Sequence, residues 1–229
     1  MNTRRGGNQV IPRPESWRLG DVPSWIDFSL RSPIPDAATL AERVNNHVPS
    51  QRTSLEMTQE WVASARSSAV LVPVVDTDSG PSFLLTKRAD HLKNHRGEVS
   101  FPGGRVEESE SIHAAALRET EEEVALASTH VRIVGELDPL TTFVSNSVIV
   151  PVVGVVSSLD GLCANPDEVA KILIVPISEL VLSKTYHNEW WETPRGDLNI
   201  HFFDLDDETI WGATARIIRQ FIEVAVAPV

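Results

Sequence analysis

The chain has 229 residues, 41% apolar and 23% charged, the composition of an ordinary globular protein with room for one sizeable core. Lys and Arg number 20 against 32 Asp and Glu, a formal net charge of −12. So acidic a chain lacks the positive footprint that bulk nucleic-acid binding needs, and its excess carboxylates are compatible with a metal site. The one cysteine, Cys163, excludes an internal disulfide framework, points to a reducing compartment and is expected to be a small buried hydrophobe. Residues 148–156, the longest nearly apolar run, fall far short of the ~20 residues that a spanning helix needs. Arg4 and Arg5 are followed by glycine and proline rather than a signal-like apolar run. A cytoplasmic protein with no membrane contact is therefore expected.

In chain order, residues 1–36 hold Pro12, Pro14, Pro23, Pro33 and Pro35 together with Trp17 and Trp25. Proline lacks an amide donor and resists helix and central strand, so this stretch reads as an extended arm, laid on the domain through its aromatics or partly disordered. Ala37, Leu40, Ala41 and Val44 recur at helical spacing and predict a helix from Asp36 to about His47. A second short helix is expected over residues 51–67, with Leu55 and Trp61 inward. Residues 37–67 would thus be a helical segment packed on the main domain at 68–226.

Two valine-rich or apolar runs, 69–75 and 82–86, flank a turn at 76–81 and predict a hairpin. A short extended piece follows at 98–101, then a helix at 112–125 and a strand at 131–137. Residues 142–156 give one or two strands broken near Pro151. A strand at 169–175 ends at Pro176, before a helical turn at 178–182. Another strand is expected at 199–205. Asp206 or Asp207 would cap a final helix from Thr209 to about Val224, with Ile210, Ala213, Ile217, Phe221 and Val224 inward. Trp190 and Trp191 read as packing residues, with base stacking or a dimer interface as the other uses. Strands interleaved with helices predict an α/β (α+β) fold, a mixed β-sheet sandwiched between helices.

The helix at 112–125 carries the chemistry. Glu119, Glu122 and Glu123 fall within an arc of about 100°. Like charges at these spacings repel unless a cation neutralises them, and hard oxygen ligands fit Mg2+ or Mn2+. A solvated acidic face is the competing reading. Ala114, Leu117, Val124 and Ala125 would face the core. The tight loop Phe101-Pro102-Gly103-Gly104 precedes the helix, and Glu110 lies near its positive N-terminal end.

Residues 104–126, GRVEESESIHAAALRETEEEVAL, resemble the Nudix box: Gly104, Glu110, Arg118, Glu119, Glu122, Glu123 and Leu126 match at the family's spacing. Thr120 stands where an aliphatic residue is usual, and Ala125 where a closing glycine is usual. If that position has positive φ, alanine costs on the order of 1 kcal/mol there. Upstream, residues 84–104, LLTKRADHLKNHRGEVSFPGG, resemble the signature of Nudix coenzyme A diphosphatases. Leu84, Leu85, Thr86, Arg88, Ala89, Gly97 and the Phe101–Gly104 tetrad match, and Lys93 replaces an arginine. Further matches lie at 165–169, 175–177 and 210–215, so the resemblance covers roughly residues 68–221.

This resemblance implies a Nudix fold and metal-dependent hydrolysis of coenzyme A or its derivatives to 3′,5′-ADP and 4′-phosphopantetheine. It implies Mg2+ or Mn2+ held by Glu119, Glu122 and Glu123, with a carbonyl of Gly103 or Gly104 adding an oxygen. Glu122 or Glu168 would be the general base. Arg118 would orient a carboxylate of the box, Glu110 being the candidate. Arg88, Lys93 and Arg96 form a basic island suited to the substrate phosphates, beside Gly103 and Gly104; His91 and His95 lie in the same stretch. A Nudix diphosphatase acting on NADH or ADP-ribose is the alternative within the chemistry, and a ligand-sensing module without turnover is the alternative outside it. Either a monomer or a homodimer fits.

Overall fold

The computed structural model describes residues 5–50, 65–92, 95–142, 146–194 and 196–227. The expected helix at 51–67 lies largely outside them, as does Lys93. In chain order the elements are β1 (Trp17–Leu19), α1 (Phe28–Arg31), α2 (Ala37–Asn45), β2 (Arg66–Thr77), β3 (Gly80–Arg88), β4 (Val99–Ser100), β5 (Gly103–Arg105), α3 (Ile112–Val124), β6 (Val131–Glu136), β7 (Leu140–Thr142), β8 (Ser147–Val156), β9 (Val169–Pro176), α4 (Ile177–Leu180), β10 (Tyr186–Thr193), β11 (Gly196–Asp204), β12 (Thr209–Trp211) and α5 (Gly212–Phe221). A π-helical turn, Ile222–Val226, continues α5.

The large sheet runs β4-β3-β2-β8-β6, with β9 also on β3, β5 on β2 and β7 on β8. It is mixed: β2 and β8 are parallel, and the other pairs are antiparallel. Both faces are covered, so its strands read as continuous apolar runs with a hidden alternation. Ala69, Leu71, Val75, Leu84, Val152 and Val156 pack on one face with Ala115, Ala116 and Val124 of α3. On the other face Val72, Val74, Phe83, Leu85 and Val153 join α2, α5 and the antiparallel sheet β1-β10-β11-β12.

Several boundaries differ from expectation for physical reasons. Pro151 does not break its strand. It lies where β8 exchanges partners, β6 ending at the Glu136–Val152 pair and β7 starting at Leu140–Ile149. Its carbonyl accepts from Leu137 N–H, and no ladder donor is required of its nitrogen. The last helix begins at Gly212, not Thr209, and no side chain caps it. Residues 209–211 pair with β11 first, and Asp207 is taken by Lys171 at 2.8 Å. Strand β10 carries no clean apolar alternation in sequence, because its buried positions include Asn188 and Glu189. Glu189 is satisfied from afar by a fork from Arg13 (2.8 and 2.6 Å) and locally by Trp191 Nε1 (2.8 Å).

Asp36 accepts from Thr39 N–H and starts α2, whose Ala37, Leu40, Ala41 and Val44 are buried. The residues before it lie against the domain. Trp25 is 2% exposed and meets Tyr186 edge-on with ring centroids 4.6 Å apart. Trp17 is exposed, under the Arg13 guanidinium. Trp191 is buried and Trp190 half-buried. Cys163 is exposed, contrary to expectation: its N–H is tied to Val124 O, which holds the loop on the end of α3 and leaves the thiol outside.

Candidate active site

Helix α3 is capped by Ser111, whose hydroxyl accepts from Ala114 N–H. Its buried positions are Ala115, Ala116, Thr120, Glu123 and Val124. Ala114 is exposed and Leu117 half-buried, so the helix is turned from the expected orientation and carries a glutamate on its buried edge. Thr120 fits there because its hydroxyl donates to Ala116 O at 2.6 Å. Ala125 ends the helix at φ 55°, ψ 26°, in the left-handed region.

The glycine loop fixes how close the backbone comes to this edge. Gly103 has φ +152°, and a Cβ there would collide with the backbone of Ala69 and Val70. Pairing of β5 with β2 holds the loop flat on the sheet. Gly103 N–H then donates to Glu123 Oε2 at 3.3 Å. A Cβ at Gly104 would meet the Glu119 carboxylate.

Glu119 and Glu123 come together here, while Glu122 sits further out and is exposed. Burial raises the Glu123 carboxyl to about 7, against the opposing pull of Gly103 N–H and of Arg88, whose guanidinium is 3.8 Å away. Burial also raises Glu119, which Arg118 partly offsets. The carboxylate of Glu168 adds its repulsion to both groups. Glu168 stands in a loop pinned on two sides: Asn165 N–H donates to Glu123 O at 2.9 Å, and Ala89 N–H donates to Glu168 O at 2.8 Å. The structure therefore gathers Glu119, Glu123 and Glu168 from two distant segments.

Arg118 is the hub. It forks onto both oxygens of Glu110 (2.9 and 3.0 Å) and reaches Glu119 (3.0 Å), Glu122 (3.3 Å) and Arg105 O (3.1 Å). The fork holds the Glu110 carboxyl below the usual carboxylate range. Among the described residues no three His, Cys, Asp or Glu side chains close tightly enough to enclose an ion as they stand.

A cavity of about 410 Å3 opens beside these groups, lined by Arg88, Gly103, Gly104, Phe101, Ile149 and the start of α5 among others. A register shift in the β3–β9 pairing falls between Lys87 and Arg88. Arg88 lines this cavity, whereas Lys87 pairs with Glu208 at 2.8 Å and lines a neighbouring one. Arg96 also lines the neighbouring cavity, and His95 both. His91 faces Asp167 O at 3.1 Å and lines neither cavity. Trp211, within the matched segment 210–215, lines both cavities, whereas residues 8–10 beside the outer one belong to no motif in the sequence.

Comparison with known proteins adds the following. A family model described as NUDIX domain matches residues 65–192. A Yersinia pestis (strain Pestoides F) protein named uncharacterized Nudix hydrolase NudL is 34% identical over 190 residues, covering 80% of this chain and 94% of its own length. A protein of the same name from Yersinia pseudotuberculosis (serotype O:3, strain YPIII) matches at the same identity and coverage. A crystal structure of a MutT/nudix family protein from Enterococcus faecalis is 16% identical, with a TM-score of 0.48 over 86% of this chain and 72% of that one.

Proposed function

The chain belongs to the Nudix family and is a Nudix hydrolase, and from that premise we propose that it cleaves the diphosphate of coenzyme A or a derivative, releasing 3′,5′-ADP and 4′-phosphopantetheine. One observation carries the reading. Residues 88–104, from the stretch that resembles the coenzyme A diphosphatase signature, supply much of the cavity wall beside Glu119 and Glu123.

The donor set fits a divalent ion. Glu119 and Glu123 are hard oxygen donors whose burial leaves their charge poorly compensated, and Glu168 adds a third carboxylate. Glu119 and Glu123 would hold Mg2+ or Mn2+, with Glu122 at the exposed edge. Such an ion, when bound, neutralises diphosphate charge and polarises a water. The chain supplies the rest. Arg88 offers a guanidinium to phosphate oxygens. Arg118 fixes the rotamer of Glu119 and is itself fixed by Glu110. Glu168 is the better placed general base, since its carboxylate is close enough to repel both Glu119 and Glu123 and its loop is clamped; Glu122 is engaged by Arg118 and exposed.

The test is a comparison of kcat/KM for coenzyme A, NADH and ADP-ribose with Mg2+ and with Mn2+. The reading expects coenzyme A to lead by at least tenfold. Preferred turnover of NADH or ADP-ribose would overturn the substrate while leaving the chemistry. No turnover of any of them would return weight to a sensing module.

A further inference from the structure

The neighbouring cavity, about 700 Å3, is wider than the one beside the glutamates. The two share His95, Glu98 and Trp211 as lining, so they are adjoining chambers of one cleft. Their characters differ. The inner chamber has Val70, Phe101, Ile149 and Ile217 around Arg88 and the glycine loop. The outer has Lys87, Arg96 and His95, with the acids Asp90 and Glu98. Arg96 is exposed and has no ion pair among the described residues. Trp211, at the junction, has a buried Nε1 with no hydrogen-bond partner among the described residues.

The outer wall comes from the N-terminal arm, outside residues 65–192: Asn8, Gln9 and Val10. Gln9 holds the arm in place as a backbone would. Its Nε2 donates to Thr209 O at 3.0 Å, and its Oε1 accepts from Thr209 N–H at 3.3 Å, capping β12. The same Nε2 donates to Gly97 O at 3.3 Å, next to Arg96. Any side chain at Gly7 would run into the Gln9 carboxamide.

We propose that residues 8–10 complete the substrate cleft, that the outer chamber takes the 3′-phosphoadenosine end of the substrate, and that Gln9 is a positioning residue tying the arm, β12 and the Arg96 loop into one binding wall. This rests on the coenzyme A reading. Diphosphate lies at Arg88 and the glycine loop. The apolar inner chamber suits the pantetheine chain; in the outer one Lys87 is paired with Glu208 and His95 with Glu98, and Arg96, which has no ion pair among the described residues, suits the phosphate of a phosphorylated nucleoside beside Trp211.

The test titrates the metal-free chain, in EDTA, with 3′,5′-ADP and with 5′-AMP, for the wild type, Gln9→Ala and Gly7→Val. Thermal melts serve as the folding control. Wild type should bind 3′,5′-ADP at least tenfold more tightly than 5′-AMP. Both variants should lose about tenfold in 3′,5′-ADP affinity, although Gly7→Val keeps Gln9. With metal present, KM for coenzyme A should rise about tenfold while kcat stays within twofold, a split that general loosening of the fold would not give. Equal wild-type binding of the two nucleotides, or unchanged affinity in both variants, overturns the inference. Failure of the wild type to cleave coenzyme A overturns the substrate reading instead, so the two failures are distinguishable.

Discussion

Replacing Glu123 with glutamine should make the metal-free protein more stable, by an amount that grows from about pH 4.5 and is complete above about pH 7. Glu123 ionises near 4.5 in the unfolded chain and near 7 in the fold, because burial outweighs the help of Gly103 N–H and Arg88. Between those two values the folded state holds a proton that the unfolded state has lost. Stability therefore falls as pH rises through this window, and the cost is complete above the folded pKa. A gap of about 2.5 units at 1.36 kcal/mol each gives roughly 3 kcal/mol. Glutamine keeps the shape and can still accept from Gly103 N–H, but it does not ionise. In EDTA, urea unfolding followed by tryptophan fluorescence should show Glu123→Gln about 3 kcal/mol more stable than wild type at pH 8, with that advantage gone at pH 4.5. Saturating Mg2+ at pH 8 should stabilise the wild type and leave the variant unchanged. A wild-type-to-variant difference that does not vary with pH would show that Glu123 does not ionise at a cost in the fold.

Three other outcomes follow from single contacts. Ala125→Gly relieves a left-handed alanine and should raise stability by about 1 kcal/mol in the same urea assay, with kcat unchanged. Gly104→Ala places a methyl against the Glu119 carboxylate, and should lower kcat by about 100-fold while thermal unfolding moves by only a few degrees. Arg118→Lys keeps charge but cannot fork onto Glu110 while holding Glu119; kcat/KM should fall at least tenfold, while the retained charge limits the loss of stability.

The box and its surroundings were legible because their signals are local. Helix α3, the β2–β3 hairpin and the glycine loop follow from period, turn residues and spacing. The orientation of α3 was not: a stripe chosen for hydrophobicity leaves Glu123 outside, whereas the glycine loop and the Asn165–Glu168 loop close over it. What sequence reading missed is satisfied over long separations. Strand β10 buries Glu189 because Arg13 reaches it from 176 positions away. Pro151 stays in a strand because two different partners meet there. The arm shows only prolines and scattered aromatics in sequence, yet Trp25 enters the core and Gln9 pairs with Thr209. Such contacts leave no periodic trace.

The most direct measurement is mass-resolved product analysis of coenzyme A incubated with Mg2+ and either wild type or Glu119→Gln. Equimolar 3′,5′-ADP and 4′-phosphopantetheine are expected from the wild type, none in EDTA, and at least a 100-fold slower release from the variant. Intact coenzyme A with the wild type, or equal product from both proteins, would rule out cleavage of coenzyme A at this glutamate cluster.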